Sequence, residues 1–257
     1  MTRSVLVTGA SSGIGQACAL RLSRAGWHVL AGVRGAGDAP DGTEEVLLDV
    51  TEPAPLTIDR LDGLVNNAGV AVAGPLEFLP ADELRHQLEV NVVGQLRVVQ
   101  MALPALRASR GRIVNIGSIS GRSALPFLGA YAMSKFGLEA MSDSLRVELR
   151  PWGIHVAIVE PGTIRTAMWT RERPDPPPEA LALYGERLAA FRTFALKRSA
   201  HGAPPEAVAA VVESALTADR PRVRYLVGRD ARLRAGIERL PGRVRDGIYK
   251  RVLLGGT

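Results

Sequence analysis

Six apolar runs of strand length punctuate the chain: Ser4–Thr8 (SVLVT), His28–Val33, Val46–Leu48, Leu61–Val65, Arg112–Ile116 and Ile154–Val159. They are largely continuous rather than alternating. A strand that is apolar on both faces must be covered on both, which requires a parallel sheet between layers of helices. Helix-like stretches separate the runs: Gly13–Ala25 stopped by Gly26, Pro80–Ala108, and Ala130–Leu149 closed by Pro151 and Gly153. The pattern predicts a single-domain, doubly wound α/β fold. Residues 163–205, with the patch PDPPP, lack strand character and read as a lid-like insertion, part loop and part helix. Ala207–Ala218 reads as a further helix and Arg224–Val227 as a last strand. Residues 1–228 then form the main domain, and 229–257 a basic helical extension.

Composition narrows the field. Hydrophobic residues make up 46% and charged residues 23%, enough apolar material for a large core and unlike disordered or collagenous chains. The single cysteine, Cys18, excludes an intrachain disulfide framework, and the scattered His28, His86, His155 and His201 suggest no metal site. No apolar run reaches the roughly 18–20 residues of a membrane span. The N-terminal MTRSVLVTGASSG reads as a strand rather than a secretory signal, so a cytoplasmic protein is expected. The net charge is +6, but residues 220–251 hold 11 basic and three acidic residues, or +8, leaving −2 for the rest. The basicity is a feature of the tail. With no nucleic-acid motif present, nucleic acid is not an expected partner.

The first strand runs into Thr8-Gly9-Ala10-Ser11-Ser12-Gly13-Ile14-Gly15. Glycines permit a tight turn and a close backbone approach to a pyrophosphate, and the next helix offers its unpaired N–H groups to that anion. The second strand ends in Val33-Arg34, with an arginine and no carboxylate at its tip. A planar guanidinium suits a 2′-phosphate, so NADP(H) is expected over NAD(H).

Tyr131 and Lys135 are spaced i, i+4, on one face of a helix. An ammonium beside a phenol favours its ionised form, which suits acid–base work near neutral pH. Ser118 follows the strand Ile113–Ile116, at the edge where parallel sheets hold ligands.

Six elements occur in order: TGASSGIG (Thr8–Gly15), NNAG (Asn66–Gly69), Asn91 in NVVG, Ser118 in GSIS, YAMSK (Tyr131–Lys135) and Pro161-Gly162. Together they resemble the short-chain dehydrogenase/reductase family, closely from Ser4 to Thr166 and loosely to Gly228. The resemblance implies a Rossmann-like fold and interconversion of an alcohol and a carbonyl by hydride transfer. It implies that Tyr131 is the acid/base, that Lys135 lowers its pKa and binds the nicotinamide ribose, and that Ser118 orients the substrate oxygen. It makes Asn91 the residue that bends its helix and holds a relay water. Gly9, Ser11, Ser12, Gly13, Ile14 and Gly15 would line the pyrophosphate, although many NADP users carry a basic residue where Ser12 stands. Asp49 and Val50 match the adenine position, Asn67, Ala68 and Gly69 the adenosine-ribose turn, and Pro161, Gly162, Thr163, Ile164 and Thr166 the nicotinamide side. It also implies a homodimer or homotetramer through the long helices.

Two crossovers depart from this pattern. Twelve residues separate Val33 from Val46, and another twelve separate Asp49 from Asp62. The first reads as loop, the second as a turn of helix at most. Trp169, Tyr184, Phe191 and Phe194 either wall an apolar substrate site or form the insertion's own core. Leu125, Phe127 and Leu128 stand nearer Tyr131. An apolar wall suits a lipophilic alcohol or ketone, such as a steroid, retinoid or fatty compound. In the extension, Val244, Ile248 and Val252 form one stripe among basic residues. That helix either packs on the subunit or its partner, or it docks on an anionic membrane or narrows the substrate entrance. Rival readings are a cofactor-binding sensor or scaffold without turnover, and a Ser-Tyr-Lys hydrolase that leaves the glycine turn without a purpose.

Overall fold

The computed structural model describes residues 2–53, 58–169 and 176–253. Seven strands form one parallel sheet in the order β3-β2-β1-β4-β5-β6-β7. They are β1 (Ser4–Thr8), β2 (His28–Val33), β3 (Glu44–Leu47), β4 (Gly63–Asn66), β5 (Arg112–Ile116), β6 (His155–Pro161) and β7 (Arg224–Val227). The helices are α1 (Gly13–Arg24), α2 (Ala81–Leu88), α3 (Gln95–Ser109), α4 (Gly129–Glu148), α5 (Pro178–Ala200), α6 (Pro205–Thr217), α7 (Arg229–Ile237) and α8 (Gly242–Leu253). The order reverses between β1 and β4, which opens a crevice at the carboxyl ends of the strands.

Successive strand residues feed opposite faces, as the strand period requires. Val5 and Val7 of β1 join one core with Cys18 and Leu22 of α1 and Val212 and Leu216 of α6. Leu6 joins the other core with Val98 and Leu106 of α3 and Leu145 of α4. Cys18 is a buried core filler whose thiol is pushed up to about 12 by burial.

The expected long helix over residues 80–108 is α2 and α3 joined by a π-helical stretch, Glu89–Gly94. Residues 34–43 are loop, as the short crossover implied, and the second crossover has no helix among its described residues. The helical part of the insertion is the 23-residue α5. In the tail, the ends of the stripe, Val244 and Val252, are exposed and Ile248 is only half-buried, while α8 buries Tyr249. Hydroxyl partners explain the reversal, because Tyr249 bonds both Ser123 and Glu238. Among the described residues no helix is long and apolar enough to cross a membrane, and no group of three metal-ligating side chains occurs.

Gly15 fixes how α1 leaves the sheet, since a Cβ there would lie 2.1 Å from the carbonyl oxygen of Gly9. Neither side is a movable side chain, so overpacking must shift backbone. Gly15→Ala is expected to lower the unfolding free energy of the ligand-free protein by about 1–3 kcal/mol, read by urea denaturation. Unchanged stability would mean that this approach is not a constraint.

Candidate active site

The glycine turn is held from both sides. Thr8 Oγ1 accepts the N–H groups of Asn67 and Ala68 at 2.9 Å each. Asn67 Nδ2 donates to the carbonyls of Thr8 (2.9 Å) and Gly9 (3.3 Å). Gly9 and Gly13 adopt φ of 65° and 58°, the left-handed region that glycine enters freely. Ser12 begins α1 without a side-chain cap, and the first turn carries no acidic residue. Its N–H groups and positive dipole end thus face the crevice uncompensated. Thr166 stands across the turn: a Cβ on Gly13 would meet its Cγ2 at 3.2 Å. Ser11 and Ser12 are exposed at the rim, and Ile14 packs partly into the core, leaving its backbone to the turn. This cradle, which side chains would fill, fits a dinucleotide pyrophosphate.

At the adenosine end, exposed Arg34 lies close enough to Asp49 to act on its carboxyl. Asp49 is held below the usual carboxylate range, first by hydrogen bonds from Thr51 and, more weakly, by the Arg34 charge. Val50 is buried in the core beneath. A Cβ on Gly69 would lie 3.2 Å from Asn91 Oδ1, so the turn after β4 abuts the π-helical stretch. Beyond β6, Thr163 gives its N–H and its hydroxyl to Asp230 Oδ2, both at 2.8 Å. A Cβ on Gly162 would collide with the same carboxylate. Pro161 and Ile164 are buried, Ile164 among core side chains.

The sheet brings Ser118, Tyr131 and Lys135 together. Ser118 closes β5, where its Oγ accepts the Ser120 N–H at 3.1 Å and its hydroxyl is bonded to the Tyr131 phenol. Lys135 Nζ stands 5.8 Å from the Tyr131 ring centroid and donates to Ile116 O at 2.9 Å. The expected lowering of the phenol pKa does not occur. Burial raises Tyr131 above its usual value, against weaker opposing effects of the Ser118 hydrogen bond and the Arg234 charge. Lys135 is itself pulled down to about 8 by desolvation. Tyr131 is therefore a protonated donor at neutral pH.

Asn91 sits in the π-helical stretch, the bend expected of it. Its side chain bonds the N–H (2.8 Å) and C=O (2.9 Å) of Val70 and Ser134 Oγ (3.0 Å). Thr8 and Ser134 lie inside the sequence motifs, but only the fold shows what they hold; Ser123 and Arg234, which meet beside the Ser118 turn, carry no local sequence signal. Phe127, at φ of 63°, packs against Tyr184 and Phe191 of α5 at 6.2 and 5.5 Å between ring centroids. Tyr184 and Phe191 of the insertion and Phe127 of the loop before Tyr131 thus form one wall, whereas Phe194 lies under the Arg198 guanidinium; the Trp169 side chain lies outside the described residues.

Comparison with known proteins agrees with this geometry. Residues 39–177 match the short chain dehydrogenase family. The chain is similar to retinol dehydrogenase 5 of Mus musculus, at 39% identity over 97% of this chain and 88% of that one. It is also similar to the NADPH-dependent 3-dehydrocapnine reductase of Ornithobacterium rhinotracheale, at 34% identity over 96% of each. A short-chain dehydrogenase of Burkholderia cenocepacia J2315, solved in complex with NADP, superposes with a TM-score of 0.77 at 26% identity, over 98% of each chain.

One turn past Lys135, Glu139 shares Arg224 with the wholly buried Glu160 of β6. Burial, and then the Glu160 charge, lifts Glu139 from 4.5 to about 7. Its Oε1 is buried with no hydrogen-bond partner among the described residues, a position a neutral carboxyl tolerates better than a carboxylate. Between pH 4.5 and about 7 the folded chain holds this proton and the unfolded chain releases it. Its contribution to stability thus falls as pH rises through that window and levels above it. Relative to Glu139→Gln, wild type is expected to lose on the order of 1 kcal/mol per pH unit there. Parallel denaturation curves for the two proteins at pH 5, 6, 7 and 8 would contradict this.

Proposed function

The chain belongs to the short-chain dehydrogenase/reductase family, and from that membership we propose that it interconverts a secondary alcohol and a ketone or aldehyde using NADP(H), with Tyr131 as acid/base. The observation that carries this reading is the buried Tyr131 phenol, hydrogen-bonded to Ser118 and flanked by Lys135, at the strand ends beside the glycine cradle. When bound, the nicotinamide supplies or accepts the hydride. In the reducing direction Tyr131, kept protonated by burial, gives its proton to the substrate oxygen. Ser118 donates a hydrogen bond where charge grows on that oxygen. Lys135 places a cation beside the phenolate left behind. Asn91 and Ser134 hold the π-helical stretch against α4 and so keep Tyr131 and Lys135 in register.

Arg34 at the rim supports NADP(H) over NAD(H), as do the relative named for NADPH and the neighbour bound to NADP. The aromatic wall of Phe127, Tyr184 and Phe191 favours a lipophilic substrate. Exposed Met133, Phe136 and Val147 on α4 support a homodimer or homotetramer. The exposed Val244 and Val252, among Arg243, Lys250 and Arg251, suit peripheral contact with an anionic membrane from the cytoplasm.

Two substitutions test the reading. With a panel of lipophilic ketones, Tyr131→Phe is expected to lower kcat of NADPH oxidation by about 10²–10⁴-fold while NADPH still binds. Cofactor binding without turnover by wild type on every carbonyl would favour a sensor instead. Arg34→Ala is expected to weaken NADPH about ten- to a hundredfold and leave NADH unchanged in fluorescence titrations. Equal loss for both cofactors would place the selectivity elsewhere.

A further inference from the structure

The catalytic turn is tied to a part of the chain that the family motifs do not reach. Ser118 opens a tight turn in which Gly121 N–H donates to Ser118 O at 2.8 Å and Ser123 N–H to Ile119 O at 3.0 Å. The second of these bonds ties the backbone of Ser123 to the residue next to Ser118. Ser123 is wholly buried, and its partners come from the tail. Arg234 of α7 donates through Nη2 to Ser123 O (2.5 Å) and through Nε to Ser123 Oγ (3.3 Å). Tyr249 of α8 lies 2.6 Å from Ser123 Oγ. The Tyr249 proton goes to Glu238 at 2.7 Å, so the Ser123 hydroxyl must donate to Tyr249. Arg245 holds the far side of Glu238 at 2.9 Å. The donors run in one direction, from Arg234 through Ser123 and Tyr249 to a carboxylate.

Packing reinforces this chain: Ala231 and Ala235 of α7 form a small buried cluster with Ile119, inside the same turn. Among the described residues no carboxylate lies within ion-pair distance of Arg234, so its charge is taken into the protein for hydrogen bonds rather than for an acidic partner. Burial of that kind is costly unless the hydrogen bonds are well made.

We propose that Arg234 and Tyr249 are positioning residues that clamp the Ser118–Ser123 turn, so that the C-terminal extension sets where Ser118 presents its hydroxyl. For the role of Ser118 this rests on the oxidoreductase reading; the clamp itself does not. The guanidinium fork fixes the backbone of the turn, and the phenol fixes the rotamer of Ser123.

The test uses the full chain with Tyr249→Phe, which removes one oxygen, and Arg234→Met, with the exposed Arg243→Ala as control. Hydrogen–deuterium exchange of peptides spanning residues 118–125 is expected to quicken about tenfold in Tyr249→Phe, with α1 and α6 unchanged. NADPH affinity should hold, and kcat for a ketone should fall about tenfold. In a Ser118→Ala background the same substitution should change kcat by less than about twofold, because the route through Ser118 is gone. Equal losses in both backgrounds, or unchanged exchange in the turn, overturn the proposal. If wild type turns over no carbonyl, the oxidoreductase reading falls and the exchange measurement alone decides the clamp. Should Arg234→Met fail to fold, Tyr249→Phe carries the test.

Discussion

The site depends on one approach between two stretches of backbone. Gly15, on the first turn of α1, lies so close to the carbonyl of Gly9 that no other residue fits without a shift. Asn67 then donates to that same carbonyl from the turn after β4. One contact therefore joins the end of β1, the start of α1 and the loop beyond β4. These three elements meet where the sheet order reverses, and the unpaired N–H groups of α1 are aimed along the strand ends. Without the approach, α1 would pack further out and the crevice would lose its floor.

Burial does as much as charge to set the chemistry. Tyr131 and Lys135 are both buried, and each is pushed towards its neutral form, the phenol upwards and the ammonium down to about 8. A protonated phenol beside a weakened ammonium is poised to give a proton away. One turn further along α4, Glu139 meets Glu160 of β6, and the two buried carboxyls are served by Arg224 and, at Glu160, Arg122. The lone buried oxygen of Glu139 is consistent with one carboxyl remaining neutral. Glu139 and Glu160 are buried, and in such surroundings small changes in contact have large effects on protonation.

Much of this was legible in the sequence, because strand and turn signals are short-range. Continuous apolar runs marked the parallel strands, with β4 and β6 beginning a residue or two later than their apolar runs. The glycine turn, Ser118, Tyr131 and Lys135 declared themselves by spacing, and the structure places them at one edge. The direction of the Tyr131 shift did not follow. Spacing on a helix gives proximity, whereas desolvation depends on everything packed around the ring. The tail misled for a related reason. A stripe such as Val244, Ile248 and Val252 predicts which face is apolar, and a single buried tyrosine with two hydrogen bonds outweighed it. No pattern in the sequence joins Ser123 to residues more than a hundred positions later.

The division of labour along the chain follows from this. The cofactor cradle comes from early elements, whose geometry is dictated by glycines and strand ends, and which a short motif can specify. The wall before Tyr131 is assembled late: α5 brings Tyr184 and Phe191 onto Phe127, and Asp230 of α7 takes both donors of Thr163 and pairs with Arg198 of α5. Phe127 itself holds a left-handed backbone at φ of 63°, uncommon for an aromatic residue and sustained only where surroundings over-determine it. Aromatic contacts of this kind tolerate exchange of one apolar side chain for another far better than Gly15 tolerates any side chain at all. Substitutions in α5 can therefore reshape this wall while the glycine turn, where Gly15 meets the Gly9 carbonyl, stays fixed.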